Sequence, residues 1–295
     1  WAPVMVPAPG QFELLGADVG QGQAVLVRTR HHTLLYDAGA QYSRDSDAGE
    51  RVLVPLLRGL GIAPLDLLML SHRDSDHVGG ARAVLTGVGA REFSSSLESD
   101  HPLLAGRAHR RCLAGQRWSW DGVDFEVIHP TERDYERYVA GHLRPNALSC
   151  VLRIDDGLRS ALLLGDVERP QELELVERAA SQLHADVMLV AHHGSRTSSD
   201  PIFLDHVTPR WGLIQAGHHN RYGHPADDVV ERLLDHGITL VRTDVCGAWH
   251  WRSADALNWC HRAREHRYWH APLRGDGLEL AIHPTTTAHD DHHVR

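Results

Sequence analysis

The chain has 295 residues, which allows one large domain or two small ones. Its 42% hydrophobic and 23% charged residues are typical of a soluble globular protein, and no run approaches the roughly 18 apolar residues of a membrane span. The formal charge of −9 argues against a broad basic face for nucleic acid, although bound cations would reverse the local field.

The first 70 residues predict strands joined by tight turns and one helix. Alternating apolar residues indicate strands over 11–17, 23–28 and 33–36, and a glycine-rich turn over 18–22 links the first two. Apolar residues at helical spacing predict a helix over 49–60, which Gly61 ends. A strand over 65–70 follows, then a short helix after His77 and a strand over 91–94.

The rest of the chain alternates strands and helices after an irregular part at 95–147. We expect strands over 116–120 and 123–129, then a hairpin of strands 148–154 and 159–165. Helices over 170–180, 200–206 and 226–236 alternate with strands over 186–190, 211–215 and 239–242. No segment is long enough to be a linker, so the pattern predicts a single α/β domain over 1–295, with two sheets and outer helices.

One loop directly after the strand 65–70 is unusually rich in metal-ligating side chains. It places His72, Asp74, Asp76 and His77 within six residues, and two glycines follow. Neighbouring carboxylates repel each other unless a cation or a proton lies between them. The loop therefore predicts one or two divalent metals; the alternative is an acidic loop in which Asp76 caps the next helix.

Other candidate ligands also follow predicted strands, where α/β folds build their sites. Asp166 comes after a buried strand and a glycine, which suits a carboxylate that bridges two metals. His192 and His193 follow another apolar strand, and adjacent histidines in that position seldom belong to a core.

Several polar residues near these loops are candidates for substrate binding, each with a simpler structural alternative. Ser195 and Arg196 precede a helix and suit a phosphate, with capping by Ser199 as the alternative. Asn146 and Ser149 come before a strand, where capping or turn formation is the alternative. The turn at 18–22 supplies Asp18 and Gln21, and Asp37 is either a site carboxylate or a turn residue.

The chain has four cysteines, Cys112, Cys150, Cys246 and Cys260. No two of them form a CxxC pair, which argues against a zinc ribbon. They form two disulfides in an oxidising compartment or stay reduced, and Cys246 with Cys260 is the favoured pair. The histidine-rich tail at 289–293 is expected to be a solvated end rather than a site.

The ordered motifs together resemble the metallo-β-lactamase superfamily, and within it the soluble C-terminal domain of the ComEC competence proteins. The motifs are Asp18-Val19-Gly20-Gln21-Gly22, Ser71 to His77, Asn146 to Ser149, Gly165-Asp166, His192-His193-Gly194-Ser195 and Arg221-Tyr222-Gly223-His224-Pro225.

The resemblance implies an αββα four-layer sandwich with two metals at one edge. It covers a core of about 10–250 and leaves a C-terminal extension of about 251–295. It also implies a parent inner-membrane protein whose spans form a channel for single-stranded DNA, with this soluble domain on the periplasmic or extracytoplasmic side. The chain begins at Trp1 without an initiator Met, which is consistent with a piece of a longer protein.

The resemblance further implies phosphodiester hydrolysis that degrades the DNA strand that is not imported, without an organic cofactor. His72 and Asp74 would hold one ion, and Asp76 and His77 the other. The expected roles of the remaining residues are a bridging Asp166, a ligand His192 (alternatively His193 or His224), a proton donor His193 or His224, an orienting Asp37, and substrate contacts from Asp18, Gln21, Asn146, Ser149, Ser195 and Arg196.

Three departures from the family bear on the metal site. The wider superfamily has His at the position of Asp74, and a carboxylate there favours Mn²⁺, with Mg²⁺ and Zn²⁺ as the alternatives. Many ComEC members carry Asp where this chain has Gln23. The superfamily His between the second motif and Gly-Asp is also absent, and Asn146 or Ser149 is a candidate to fill that place.

Two other functions remain open at this point. One is hydrolysis of a small phosphodiester or lipid head group, which would need a deep narrow pocket rather than an open Arg-lined groove. The other is a non-catalytic domain that binds DNA or positions partner subunits.

Overall fold

The computed structural model describes residues 6–264. Its strands are β1 Glu13–Gly16, β2 Val25–Arg28, β3 Thr33–Tyr36, β4 Gln41–Ser43, β5 Ser46–Asp47, β6 Leu65–Leu70, β7 Ala90–Ser95, β8 Arg110–Arg111, β9 Arg117–Trp120, β10 Val123–His129, β11 Val151–Asp155, β12 Ser160–Leu163, β13 Val187–Leu189, β14 Trp211–Ile214, β15 Thr239–Arg242, β16 Trp249–Arg252 and β17 Asn258–Cys260. Its helices are α1 Val54–Gly59, α2 Ser75–Val78, α3 Ala81–Gly87, α4 Glu132–Val139, α5 Arg169–Ala179, α6 Pro201–Val207, α7 Asp227–Asp235, α8 Thr243–Cys246 and α9 His261–Arg264, with shorter helical segments at Gly49–Leu53, Pro145–Leu148, Ala180–Gln182 and Ala191–Gly194.

The strands form two large sheets and one small hairpin. The first sheet has the order β17-β16-β1-β2-β3-β6-β7-β8, the second has the order β15-β14-β13-β12-β11-β10-β9, and β4 pairs with β5. In each sheet the strands that precede the candidate site loops run parallel: β3, β6 and β7 in one, and β12 to β15 in the other. Their carboxyl ends therefore meet at one edge of the sandwich.

Three hydrophobic clusters define the layers. One cluster lies between the sheets and includes Leu34 and Tyr36 of β3. A second cluster packs the first sheet against α1 and α3. It includes Leu35, which lies between Leu34 and Tyr36 on β3. A third packs the second sheet against α5, α6 and α7. Because successive strand residues point to opposite faces, both faces of each sheet are covered, and the αββα sandwich is confirmed.

Most elements agree with the sequence pattern, and the differences have local causes. The strands at 33–36, 65–70, 123–129 and 239–242 are confirmed with the predicted bounds. The predicted strand 148–154 begins only at Val151, because Pro145–Leu148 forms a single helical turn. The sequence analysis missed α4, whose start is fixed by a capping box between Thr131 and Asp134. It also missed the β4–β5 hairpin.

Both cysteine pairs form disulfides, so the alternative of four reduced thiols is wrong. The favoured pair Cys246–Cys260 is confirmed, and Cys112–Cys150 is the second. The tail at 289–293 and most of the predicted extension 251–295 lie outside the described residues. No helix within 6–264 has the length and apolar character that crossing a membrane requires.

Candidate metal centre

The loop after β6 turns back sharply at the edge of the sandwich. Strand β6 ends at Leu70, and α2 begins at Ser75 with Asp74 in the N-cap position, so Asp76 does not cap a helix as the alternative had it. Gly79 and Gly80 allow close backbone contact, since a Cβ atom on them would lie 2.0 Å from the Gln41 nitrogen and 2.3 Å from the Ala38 oxygen. The loop therefore sits directly against the chain that leaves β3.

Three buried imidazoles are oriented by hydrogen bonds from their Nδ1 atoms. His77 Nδ1 lies 2.8 Å from Asp37 Oδ2, and His193 Nδ1 lies 2.7 Å from the Gln215 carbonyl oxygen. His72 Nδ1 lies 3.0 Å from the Ser71 hydroxyl, whose own hydrogen goes to Asp37. All three Nδ1 atoms are therefore donors, and the Nε2 atoms are the ring nitrogens that face the interior of the site. The three Nε2 atoms are buried and have no hydrogen-bond partner among the described residues.

These Nε2 atoms converge on carboxylates. Asp166 Oδ1 lies 3.2 Å from His77 Nε2, and Asp166 Oδ2 lies 3.7 Å from His193 Nε2 and 4.0 Å from His72 Nε2. Asp76 Oδ2 lies 3.3 Å from His193 Nε2, and Asp74 Oδ2 lies 3.6 Å from His72 Nε2. Two overlapping groups result, His72/His77/Asp166 and Asp76/His77/His193, and in each the ligand atoms lie within 4.8 Å of one another.

The electrostatics of the cluster suit cations. Burial would raise the pKa of Asp166, but His77 and His193 hold it well below its usual value. Burial likewise opposes ionisation of Asp76, yet His193 and His77 lower its pKa. For His77, burial would lower the pKa, but Asp166 and Asp37 raise it well above the ordinary value. Ionised carboxylates around three imidazoles form a donor set that fits divalent metal ions, and an ion bound there would replace the proton that Asp166 and Asp37 favour on His77.

Several neighbours hold the carboxylates and the imidazoles in place. Asp37, which is fully buried, accepts the amide hydrogen of Ser71 at 2.6 Å as well as the His77 bond. The Ser149 hydroxyl accepts the Asp166 amide hydrogen at 3.0 Å. Gly165 has φ +57°, and a Cβ there would lie 2.9 Å from the Ser149 Cβ, so the turn into Asp166 requires glycine.

Two glutamines also support the site, and the sequence analysis gave neither of them this role. The buried amide of Gln23 donates to Asp166 Oδ1 at 3.5 Å and to the Gly165 oxygen at 3.4 Å. The Gln215 side chain bonds Ala17 and Ala24 across the two sheets, while its carbonyl holds His193. The sequence offered one indication for Gln23, because many family members carry Asp at that position. Nothing in the sequence around Gln215 indicates a role at the site.

The adjacent histidines diverge because their backbone is left-handed. His192 has φ 50° and His193 has φ 53°, a conformation that is uncommon for residues other than glycine. His193 is buried beside Asp76, whereas His192 remains partly exposed and lies 3.7 Å from Asp166 Oδ2. His192 Nδ1 approaches the Thr197 hydroxyl at 3.1 Å and Glu168 at 3.5 Å. Both Nε2 atoms thus lie 3.7 Å from Asp166 Oδ2, and His193 belongs to one of the two candidate ligand groups.

The predicted proton donor His224 lies beside this pair. Its ring centroid is 5.7 Å from that of His192 and 6.4 Å from that of His193. Burial and the two neighbouring histidines lower its pKa.

The predicted substrate residues fall into two sets. Asn146 reaches the site, with Nδ2 3.5 Å from His192 Nε2, and Ser149 lies inside it. Asp18 instead pairs with Arg262 at 2.9 Å, and Gln21 accepts the Gly217 amide hydrogen at 3.1 Å.

The stretch from Ser195 to Ser199 does not open a helix as expected. The Ser195 hydroxyl bonds Thr197, and Arg196 pairs with Asp228 at 3.0 Å. The cap of α6 is Asp200, which accepts the Ile202 amide hydrogen at 2.9 Å, rather than Ser199.

Comparison with known proteins agrees with this architecture. The family model of the metallo-beta-lactamase superfamily matches residues 17–218. Competence protein ComA of Neisseria gonorrhoeae is 40% identical over 78% of this chain and 31% of its own length. ComE operon protein 3 of Bacillus subtilis is 32% identical over 82% of this chain and 33% of its own length. The chain thus spans about a third of these relatives.

A solved structure shows the same fold at low sequence identity. The metallo-beta-lactamase fold protein YhfI from Bacillus subtilis aligns with a TM-score of 0.50 over 82% of this chain and 99% of its own, at 12% identity. The chain belongs to the metallo-β-lactamase superfamily, and its relatives identify it as a domain of the ComEC type.

Proposed function

We propose that this domain is a two-metal hydrolase that cleaves DNA phosphodiester bonds during DNA uptake. The observation that carries the proposal is the convergence of three buried, unpartnered Nε2 atoms on Asp166 and Asp76. Burying such polar atoms without partners costs free energy, which a bound cation would offset. The names of the two competence relatives support the DNA substrate.

The distances support a division of the ligand roles. His72 and Asp74 would hold one ion, Asp76, His77 and His193 the other, and Asp166 would contact both. Bound there, two divalent ions would supply an activated water and charge stabilisation of the leaving oxygen. Since three carboxylates share the site with three imidazoles, we propose Mn²⁺ as the native metal, with Mg²⁺ and Zn²⁺ as alternatives.

The chain's own residues would orient the ligands and supply a proton. Asp37 fixes the ring of His77, and the Gln215 carbonyl fixes the ring of His193. With His193 assigned to the metal, His224 is the remaining predicted donor of a proton to the leaving oxygen. Asn146 and Ser149 are the predicted substrate contacts that lie at the centre, whereas the ion pairs of Asp18 and Arg196 would have to open first.

The biological setting is part of the same proposal. We place the domain beside the membrane channel of its parent protein, where it would degrade the strand that is not imported. The two disulfides support an oxidising compartment on the outer side of the inner membrane.

The test is cleavage of labelled single- and double-stranded DNA in EDTA, Mg²⁺, Mn²⁺ or Zn²⁺. We expect cleavage in Mn²⁺ that EDTA removes, and Asp76→Ala or Asp166→Ala should lower the rate by at least about 100-fold, because each removes a metal ligand. Asp205→Asn removes an exposed carboxylate of α6 and serves as the control.

Two results would contradict the proposal. Full activity in Asp76→Ala or Asp166→Ala would contradict the assignment of these two residues as metal ligands. Cleavage of a small phosphodiester without cleavage of either DNA would favour the small-substrate hydrolase, and metal binding without any cleavage would favour the non-catalytic domain.

A further inference from the structure

The loop between β14 and α7 reaches the metal centre and is rigidly built. Asn220 holds it from within: its Oδ1 accepts the amide hydrogens of Tyr222 at 3.2 Å and His224 at 3.0 Å, and its Nδ2 donates to the Gly217 oxygen at 3.0 Å. The residues at its tip are therefore presented in a fixed arrangement.

The same loop is fastened to the turn that carries His193. A Cβ on Gly194 would lie 2.7 Å from the Pro225 Cβ, so the two segments are in direct contact. The Ala226 amide donates to the Gly194 oxygen at 2.9 Å. The loop is therefore joined directly to the turn that carries His193.

A series of nearly parallel planes runs from the metal centre to solvent. The rings of His193 and His224 are 6.4 Å apart at 18°, and those of His224 and Tyr222 are 6.0 Å apart at 11°. Beyond them, the Arg221 guanidinium lies 4.8 Å from the centre of the Tyr222 ring. Tyr222 is 53% exposed, although a large aromatic side chain gains by burial.

Arg221 lies beside this series, and its guanidinium donates to the Tyr222 hydroxyl at 2.6 Å. Among residues 6–264 no carboxylate forms an ion pair with it, whereas Arg196 is engaged by Asp228. The hydrogen bond to the Tyr222 hydroxyl raises the pKa of Arg221. An exposed guanidinium without an ion-pair partner keeps further donors that are suited to a phosphate group.

The geometry points to a nucleotide-binding loop in which Tyr222 stacks on an unpaired base and Arg221 binds a backbone phosphate next to the scissile one. The base would take the face of Tyr222 that Arg221 now covers, and the exposed guanidinium would turn to the phosphate. Bases inside a duplex are already stacked, so this loop selects single-stranded nucleic acid. The inference rests on the proposed function, because it concerns the substrate of that same centre.

The test compares two ligands with the same phosphates, a thymidine oligomer of about 12 nucleotides and an abasic oligomer of equal length. Fluorescence anisotropy with the full chain in EDTA gives both Kd values without cleavage. We expect the wild type to bind the thymidine oligomer about 10-fold more tightly, Tyr222→Ala to abolish that preference, and Tyr222→Phe to keep it. An equal preference in Tyr222→Ala, or none in the wild type, would overturn the stacking role.

The phosphate role of Arg221 has a separate readout. Arg221→Ala should weaken both oligomers equally and lower the slope of log Kd against log salt by about 0.7. Arg58→Ala, which removes an exposed arginine on α1, should change neither quantity. An unchanged slope in Arg221→Ala would overturn the phosphate role.

The proposed function is checked independently by wild-type hydrolysis of bis(p-nitrophenyl) phosphate in Mn²⁺. If the wild type fails there but prefers base-bearing oligomers, the hydrolase fails and the stacking loop stands. If the wild type hydrolyses bis(p-nitrophenyl) phosphate but binds both oligomers equally, the hydrolase is supported and the stacking role of the loop is contradicted.

Discussion

At the scale of single residues, Asp37 holds a ring of the candidate metal centre through hydrogen bonds. Its carboxylate binds His77 Nδ1 at 2.8 Å and both the amide and the hydroxyl of Ser71. Asp37→Asn removes the charge that keeps Nδ1 a donor and orients the ring. We expect metal affinity to fall about 10- to 100-fold, measured by competition with a chelator.

Asp66 offers a matched control for this prediction. It is a largely buried carboxylate of β6 that accepts the Thr33 amide hydrogen at 2.8 Å, and it lies at the opposite end of β3 from Asp37. Asp66→Asn should lower stability and leave metal affinity unchanged. If Asp37→Asn, still folded by circular dichroism, bound metal as tightly as the wild type, the orienting role would be wrong.

Residue types at the centre were predictable, whereas their division of roles was not. Metal chemistry restricts ligands to a few side chains, so the spacing of His72, Asp74, Asp76 and His77 was a sufficient signal. The choice between His192 and His193 depends on a left-handed turn, and two identical residues in succession give no signal of which one turns inward. Only the fold shows that His193 turns inward.

At the scale of elements, helix α5 anchors the loop that follows the two histidines. The buried carboxylate of Glu172 accepts the amide hydrogens of Ser199 and Asp200, both at 2.8 Å. Burial raises the pKa of Glu172 to about 7, despite these bonds. The folded chain thus keeps a proton there at pH values where the unfolded chain has released it.

This shift predicts a pH-dependent stability. Between the ordinary value of 4.5 and about 7, folding takes up a proton at Glu172, so its contribution to stability falls as the pH rises through that window and is constant above it. Across this window the free energy of unfolding of the wild type should fall by on the order of 3 kcal/mol relative to that of Glu172→Gln. Urea unfolding at several pH values measures this difference. Parallel pH profiles of the two proteins would contradict the shift.

Elements with a strong periodic pattern were predictable, and loops whose partners lie far away in sequence were not. Strand β6 can be predicted from its own sequence, because five of its six residues are apolar, and these five are buried. The pairing of Asp18 with Arg262 joins residues 244 positions apart, so no local pattern reveals it. For the same reason Asp18 was predicted to contact substrate.

At the scale of the whole molecule, the site depends on the position of the two sheets relative to each other. Tyr36 of the first sheet donates to the Cys150 oxygen at 2.6 Å, and the Cys150 amide donates to the Ser71 oxygen at 2.9 Å. The disulfide from Cys112 fixes the same point, because Cys112 follows β8 in the first sheet and Cys150 precedes β11 in the second. Cys246–Cys260, by contrast, closes a loop around the β16–β17 hairpin of one sheet.

The two disulfides should therefore differ in their contribution to stability. Cys112–Cys150 spans 38 residues and Cys246–Cys260 spans 14, which corresponds to about 4 and about 3 kcal/mol of loop-closure entropy in the unfolded chain. We expect the double variant Cys112→Ala/Cys150→Ala to lose more free energy of unfolding than Cys246→Ala/Cys260→Ala, measured by urea denaturation. It should also lose metal affinity, because the bridge fixes Cys150, whose amide donates to the Ser71 oxygen, whereas the second variant should keep it. Equal metal affinity in both variants would mean that the hydrogen bonds across the sheets position the centre without the bridge.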